Sequence, residues 1–562
     1  MKFKKFGGIT TLAGVMLLTS CSWGGDTSAK GTEPAAKGSG GGSGSKVLVY
    51  GAAGSPSLFD PFYTSDGETA RVNNQMYEGL LSLKPGTADP APGLAVSWEQ
   101  SKDGKQWTFQ LREGVTFHDG TAFDAGAVCA NFERWYRQPK IARTSAVSHT
   151  WVNDFGGFEG DKTPSLYAGC EAPDKSKVVL RLTNPSSKFP TILAHGTYAM
   201  SSPTAMEKHN ANGVEAKGEG FAFPEYGRLH PTGTGPFTFV SYDDSTGTVK
   251  LARNDKYWGD APKIAGIEFR TIPDETARRQ ELEAGTIHAY DLPAPRDWQS
   301  LKDQGFQVLT RPPFNVMYVG LNATTAPELK DLRVRQAIAW AINKQQIVDT
   351  LLPEGSETVT QFVPRSVEGY DDKVAGYPYD PDKARALLAE AGVPKLKIQL
   401  WYPTEVTRPY MPEPKRFFDL IKADLEAVGI QVEPITKPWA GGYLSGREAG
   451  QAPVYLLGTT GHYNSAQNFL GILFGATDNA FDTGLLGFGQ RLVDDLKEAD
   501  REPDPKKRVD MYLEINRKMS NDWLPSIPIA SSPSALVLDG KLRGIVTSPV
   551  GGEPLATASF GE

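Results

Sequence analysis

The sequence predicts an α/β protein divided into two or three lobes, and three observations carry that expectation. Its 562 residues exceed what one hydrophobic core serves. Hydrophobic residues make up 39% of it and aromatic ones 10%, enough for most of the chain to bury apolar surface. Strand-period and helix-period stretches alternate along it: the apolar run 397–401 stands between a punctuated helix at 380–392 and an amphipathic one at 416–428.

Composition narrows the function classes. The net charge of −7 argues against nucleic acid, whose binders concentrate Lys and Arg. No stretch reaches the roughly 18–20 apolar residues of a membrane span. The chain opens with Lys2, Lys4 and Lys5, then a short apolar run over 7–20 that ends in Leu18-Thr19-Ser20-Cys21 rather than at an Ala-x-Ala site. That ending resembles a bacterial lipobox, so residues 1–21 are expected to be a lipoprotein signal peptide and Cys21 the acylated first mature residue. An ordinary secretory signal with an incidental Cys21 is the alternative. Diacylglycerol would supply two chains, the regime of stable anchoring. Residues 22–45 are rich in Gly, Ser, Ala and Lys, cannot bury a core, and read as a flexible tether. Setting Cys21 aside leaves Cys129 and Cys170, an even pair in an exported chain; a disulfide is expected, with two free thiols as the alternative.

The body begins with a strand at 46–50, a Gly/Ser/Pro turn, the segment Leu58-Phe59-Asp60-Pro61-Phe62-Tyr63, and a helix over 71–81. The stretch 94–128 has the clearest local grammar. Asp103-Gly104 is a turn pair, because Gly accepts positive φ at low cost. Trp107, Phe109 and Leu111 then alternate with Thr108 and Gln110, the period of a half-buried strand. Asp119-Gly120 makes a second turn, and Asp124 caps a helix whose Val128, Phe132, Trp135 and Tyr136 share a face.

Read as a pattern, that stretch resembles the signature of the family 5 extracytoplasmic solute-binding proteins, the peptide- and nickel-type receptors of ABC importers. Ala95, Trp98, Asp103, Gly104, Trp107, Phe109, Leu111, Arg112, Gly114, Phe117, His118, Asp119 and Gly120 fall at its positions. Further matches run from about residue 46 to 540. Gly233-Thr234-Gly235-Pro236-Phe237 is one; it lacks the Lys-Ser/Thr of a phosphate loop. The run 251–258 and the helix-then-strand unit 276–290 are others, with His288 standing where an Asp is usual. The segment 311–322 reads as a turn and then an alternating strand, and the resemblance implies that it crosses between lobes. One helix is expected over 331–349. The helix after Asp380 has Asp380 as N-cap, Pro381 at its first position and Gly392 past its end.

The resemblance implies a periplasmic-binding-protein-like α/β fold of class II type, with three lobes that close by a hinge over a ligand cleft. It divides the body into lobe I (46–78, 204–310 and 526–562), lobe II (79–203) and lobe III (311–525). In peptide-binding members a loop of lobe III carries a Trp and an acid that pairs with the peptide's α-ammonium. The matching loop is 458–469, where Thr459 replaces the Trp and His462 and Ser465 stand where an Asp is common; no acid remains. A buried ammonium without a partner is expensive, so either another lobe supplies the carboxylate or the solute has no free N-terminus. The implied ligand-binding residues are Ser65, Gly67, Trp439, Gly458, Thr459, Thr460, His462, Asn464 and Ser465. His118 reads as a turn-stabilising hydrogen-bonder.

The implied function is a lipid-anchored receptor on the outer face of the cytoplasmic membrane. It would capture a peptide or peptide-like polar solute and deliver it to the permease and ATPase subunits of an importer, as a monomer and without catalysis, cofactor or metal. Alternatives on the same scaffold are a receptor for a sugar-like, metallophore or haem ligand, and a peptide-signal sensor. An exported hydrolase is disfavoured by the lack of a G-x-S-x-G elbow or an H-E-x-x-H motif.

Overall fold

The computed structural model describes residues 46–218 and 220–561. The signal segment, Cys21 and the tether 22–45 lie outside the described residues.

Three sheets organise the chain, each drawing on separated segments. A seven-stranded sheet runs, edge to edge, through Phe237–Asp243, Thr248–Arg253, Gly266–Thr271, Val47–Ala52, Ala289–Asp291, Ala535–Leu538 and Gln307–Thr310. A six-stranded sheet runs through Glu357–Thr358, Ile527–Ser531, Asn315–Leu321, Val454–Thr460, Lys397–Thr404 and Gln431–Pro438. A four-stranded antiparallel sheet joins Ala95–Gln100, Gln106–Leu111, Lys177–Leu182 and Tyr167–Asp174. Helices and sheets are mixed throughout, as the alternation predicts.

Asn315–Leu321 is the spine of the six-stranded sheet. Every residue in it is buried, because alternate side chains enter different cores: Met317, Val319 and Leu321 pack in one, Val316 and Tyr318 in the other. The alternating strand expected within 311–322 forms, and its alternation is between two cores. The helix expected over 331–349 is two, Leu332–Ala341 and Lys344–Leu351. Ile342 is extended between them, Asn343 caps the second by accepting from Gln346 N, and Asn343 N donates to Asp424 Oδ2 at 2.8 Å. The helix placed at 71–81 is Gly67–Met76, and Leu81–Leu83 is already a strand. Helix Pro381–Glu390 has the cap and proline expected of it, with Gly392 at φ +77°.

Two segments sit elsewhere than the sequence suggested. Residues 526–562 do not return at once to the seven-stranded sheet: Ile527–Ser531 pairs with Asn315–Leu321, and the chain rejoins the other sheet only at Ala535–Leu538. Phe62 and Tyr63, assigned to the first lobe, pack in the core of the four-stranded part with Trp135 and Trp151.

The signature 94–128 forms strand, turn, strand, turn and helix, with Asp124 capping Ala125–Tyr136. Phe109, Leu111, Phe117 and Phe132 lie in one core. His118 donates its backbone N–H to Gly233 O and places Nε2 3.0 Å from Gly235 O. That ties the signature's turn to the Gly-Thr-Gly-Pro run, a packing role. Cys129 and Cys170 are joined as a disulfide, linking the helix to the edge strand beside it.

Candidate functional site

The loop that follows strand Val454–Thr460 is shaped by close approach at both ends. Gly458, Thr459 and Thr460 pair with Met317, Val316 and Asn315. A Cβ on Gly458 would stand 2.4 Å from the Tyr410 ring, and one on Gly461 2.5 Å from both Phe314 and Phe469. Asn468 closes the turn from inside: its Oδ1 accepts from the backbone N–H of His462 and Tyr463. Ser465 caps helix Ala466–Phe474, its Oγ accepting from Gln467 N at 3.2 Å. The Ser465 hydroxyl is thus committed to the fold, and so is Asn464, through three bonds. Asn464 N–H donates to Ala88 O at 3.3 Å, its amide donates to Asp89 Oδ1, and its Oδ1 accepts from Glu368 N at 2.9 Å.

Asp89 follows the short strand Leu81–Leu83, so this contact crosses from the six-stranded part to another part of the chain. A second crossing lies nearby, where Ser187 N donates to Asp500 O at 3.0 Å and Lys188 Nζ stands 3.9 Å from Asp500 Oδ2. The loop carries no acid of its own, as its sequence says; carboxylates reach it from elsewhere. Asp89 is bonded to it, and Asp154 and Asp500 lie close enough to the buried Tyr463 to raise its pKa further, after burial itself.

Between the crossings, imidazoles face one another. The His462 ring is 5.8 Å from that of His195, at 85°. His462 keeps access to solvent at the loop's surface while protein crowds closely around it. Burial, and then the neighbouring His149, hold its pKa below the ordinary range. His195 is pushed down to about 3, first by burial and then by His462. His149 starts helix His149–Phe155 and hydrogen-bonds Asn153 at 3.0 Å. From the same helix Asp154 accepts from Tyr198 OH at 3.0 Å, and burial raises its carboxyl to about 6. A cavity of about 510 Å³ opens beside the loop, lined by Asn153 on one side and by Arg447, Gln467, Gly471, Asn479 and Phe481 on the other.

Trp439 lies on a second wall. Its ring stacks on Tyr443 at 6.1 Å, and the Arg408 guanidinium sits 4.7 Å from its centroid. Tyr410, two residues on, is the ring against Gly458, so Trp439 and the loop meet through Arg408-Pro409-Tyr410. Sequence reading missed Arg408, His149, His195 and Asp89. Only Arg408 carried a local signal, an Arg-Pro-Tyr after a strand. Ser65 and Gly67 stand apart: both are exposed at the start of helix Gly67–Met76, whose other end, through Asn74, donates to Gly552 O.

Residues 89–481 match the family described as bacterial extracellular solute-binding proteins, family 5 Middle. The chain is 32% identical over 517 residues to the dipeptide-binding protein of Escherichia coli, covering 90% of this chain and 93% of that protein. It is 28% identical over 553 residues to haem-binding protein A of Haemophilus influenzae, covering 97% of each. The fold superposes on the periplasmic binding protein DppA of Helicobacter pylori, solved in complex with the peptide STSA, with a TM-score of 0.73, 25% identity, and coverage of 92% of this chain and 98% of that one.

Proposed function

This chain belongs to the bacterial extracellular solute-binding proteins of family 5, and we propose that it serves a peptide ABC importer as the receptor that captures a short peptide and delivers it. The observation that carries this reading is the loop 461–465 of the six-stranded part: its Asn464 bonds Ala88 and Asp89 from a distant segment, its His462 faces His195, and Trp439 with Arg408 lies on its other flank.

Binding here needs no chemistry. An open form closes when ligand contacts favour the closed one, and the closed form is what the permease reads. Arg408 is the cation placed to meet a peptide carboxylate, with Trp439 stacked beneath it. Asp89 takes the place of the acid that the loop lacks and meets the α-ammonium. Cys21 anchors the mature protein by lipid outside the cytoplasmic membrane, and residues 22–45 act as its tether.

Calorimetry with a di- and tripeptide panel tests the assignment. Peptides with free termini should bind. Arg408→Ala should weaken them by about 30- to 100-fold, the scale of a desolvated charge pair losing one partner, and leave C-terminally amidated peptides little changed. No heat with any peptide, alongside binding of a sugar or peptide mimic, would remove the assignment.

One observation favours a second reading. His195 and His462 put neutral imidazoles beside the loop, and a relative that covers nearly the whole chain is named for haem. Titration with haemin, followed by its Soret absorbance, separates the two: a shift lost in His462→Ala supports a haem receptor.

A further inference from the structure

Away from the cleft, two short helices place three metal-ligating side chains together. His209 follows helix Pro203–Lys208, while Glu225 and His230 flank helix Tyr226–Leu229. One ligand atom from each lies within 4.8 Å of the other two, and the imidazole rings of His209 and His230 stack with centroids 3.7 Å apart.

The backbone beneath them is fixed. Ala205, Met206, Ala211 and Tyr226 form a small apolar core that packs the two helices together. Ser202 caps the first helix and itself donates to Asp119. Arg134 holds the intervening turn through Asn212 Oδ1 at 2.9 Å and Ala211 O at 3.0 Å. The Tyr226 hydroxyl lies 3.2 Å from that of Tyr77. The side chains above this base are half-buried or exposed, so they can turn toward an ion.

We infer that His209, Glu225 and His230 form a surface site for a divalent transition metal such as Zn²⁺, Ni²⁺ or Cu²⁺. Two imidazoles and one carboxylate are the donors these borderline ions prefer; Ca²⁺ and Mg²⁺ take sets of oxygens instead. Bond lengths of about 2.0–2.2 Å require the stacked rings to splay about their side-chain torsions, which their exposure permits. Lys208 works against the ion and Glu225 for it. Three protein ligands leave a coordination position for water. The bound ion would clasp the segment between the histidines, which also holds Leu58–Tyr63 in place where Phe59 N donates to Gly227 O.

The test is calorimetric titration of the chelator-stripped chain with ZnCl₂, NiCl₂ and CuCl₂ separately, with MgCl₂ as control. We expect one ion per chain, at least tenfold weaker binding in His209→Ala and in His230→Ala, weaker binding in Glu225→Gln, and no response to Mg²⁺. A rise in thermal midpoint with metal should vanish in the doubly substituted chain, whose metal-free midpoint should equal that of the wild type. Wild type that takes up none of the three ions overturns the site. So does uptake unchanged in the double variant, which would place the metal at the cleft histidines. Peptide affinity should be the same in all these variants.

Discussion

His195 and His462 face each other from different parts of the chain, ring centroids 5.8 Å apart and planes at 85°, with both imidazoles held neutral. His195 ionises at about 3 here and at about 6.5 when released, so the released form binds the extra proton between those values. The stabilisation is complete above pH 6.5 and is lost as pH falls. His462 acts in the same direction. Asp154 acts in the opposite one: burial raises its carboxyl to about 6, so the closed form holds that proton more tightly and gains as pH falls below 6. Asp500 is also raised by burial, with Lys188 opposing; His149 is the remaining group facing the pair. Solute affinity should therefore fall most steeply just below pH 6.5 and level off below pH 6. His195→Gln should flatten the first part and Asp154→Asn should deepen the second. Calorimetry from pH 7.5 to 5 reads both, and superimposable profiles for wild type and His195→Gln would sink the idea.

Asn464 spends its backbone N–H and both amide atoms on Ala88, Asp89 and Glu368. Asn464→Ala leaves the Asp89 acceptor and the Glu368 donor without this partner, a cost of about 1–3 kcal/mol. Because two of its contacts tie the loop to a segment far along the chain, the cost is expected to fall mainly on the closed form. Solute affinity should drop roughly tenfold or more, while the thermal midpoint without solute moves little. An unchanged affinity would mean that closure does not use this contact.

Arg311 is buried and joins three segments, donating to Asp291 at 2.6 Å and to both oxygens of Glu553. Asp291 is shared with Arg71. Burial alone would raise the Asp291 carboxyl, but Arg311 and Arg71 hold it below its ordinary range. Arg311→Met would leave two buried carboxylates short of a cation and should cost about 3–5 kcal/mol. Denaturant unfolding should show a lower midpoint at pH 7. Since Asp291 contributes stability above the unfolded carboxylate range, the gap to wild type should narrow as pH falls below 4.

The Cys129–Cys170 bond closes a loop with a sequence separation of 41. Loop-closure entropy at that length is worth about 4 kcal/mol. The Cys129→Ala/Cys170→Ala chain should melt earlier, with solute affinity kept, because both residues lie in the four-stranded part and away from the loop. Reductant should lower the midpoint of the wild type and leave the double variant unmoved.

Much of the fold was legible because its signals are local. Asp124 and Asp380 cap helices within their own turn, Gly392 takes a positive φ where the helix ends, and Trp107-x-Phe109-x-Leu111 shows which face is buried. These depend on neighbours only a few residues away, and the family signature is a string of such local requirements. What the sequence by itself determined is therefore the class of the protein and most of its elements. Tertiary structure decided the rest, through partners far along the chain. The break at Ile342-Asn343 is held by Asp424, 81 residues later. Ile527–Ser531 joins one sheet rather than another because Asn315–Leu321 offers its edge there. In the loop 458–465, the missing acid could be read from the sequence, but the source of the replacement could not. Asp89 lies 375 residues from Asn464, and no periodicity or spacing encodes a contact made only when separated parts of the chain pack together.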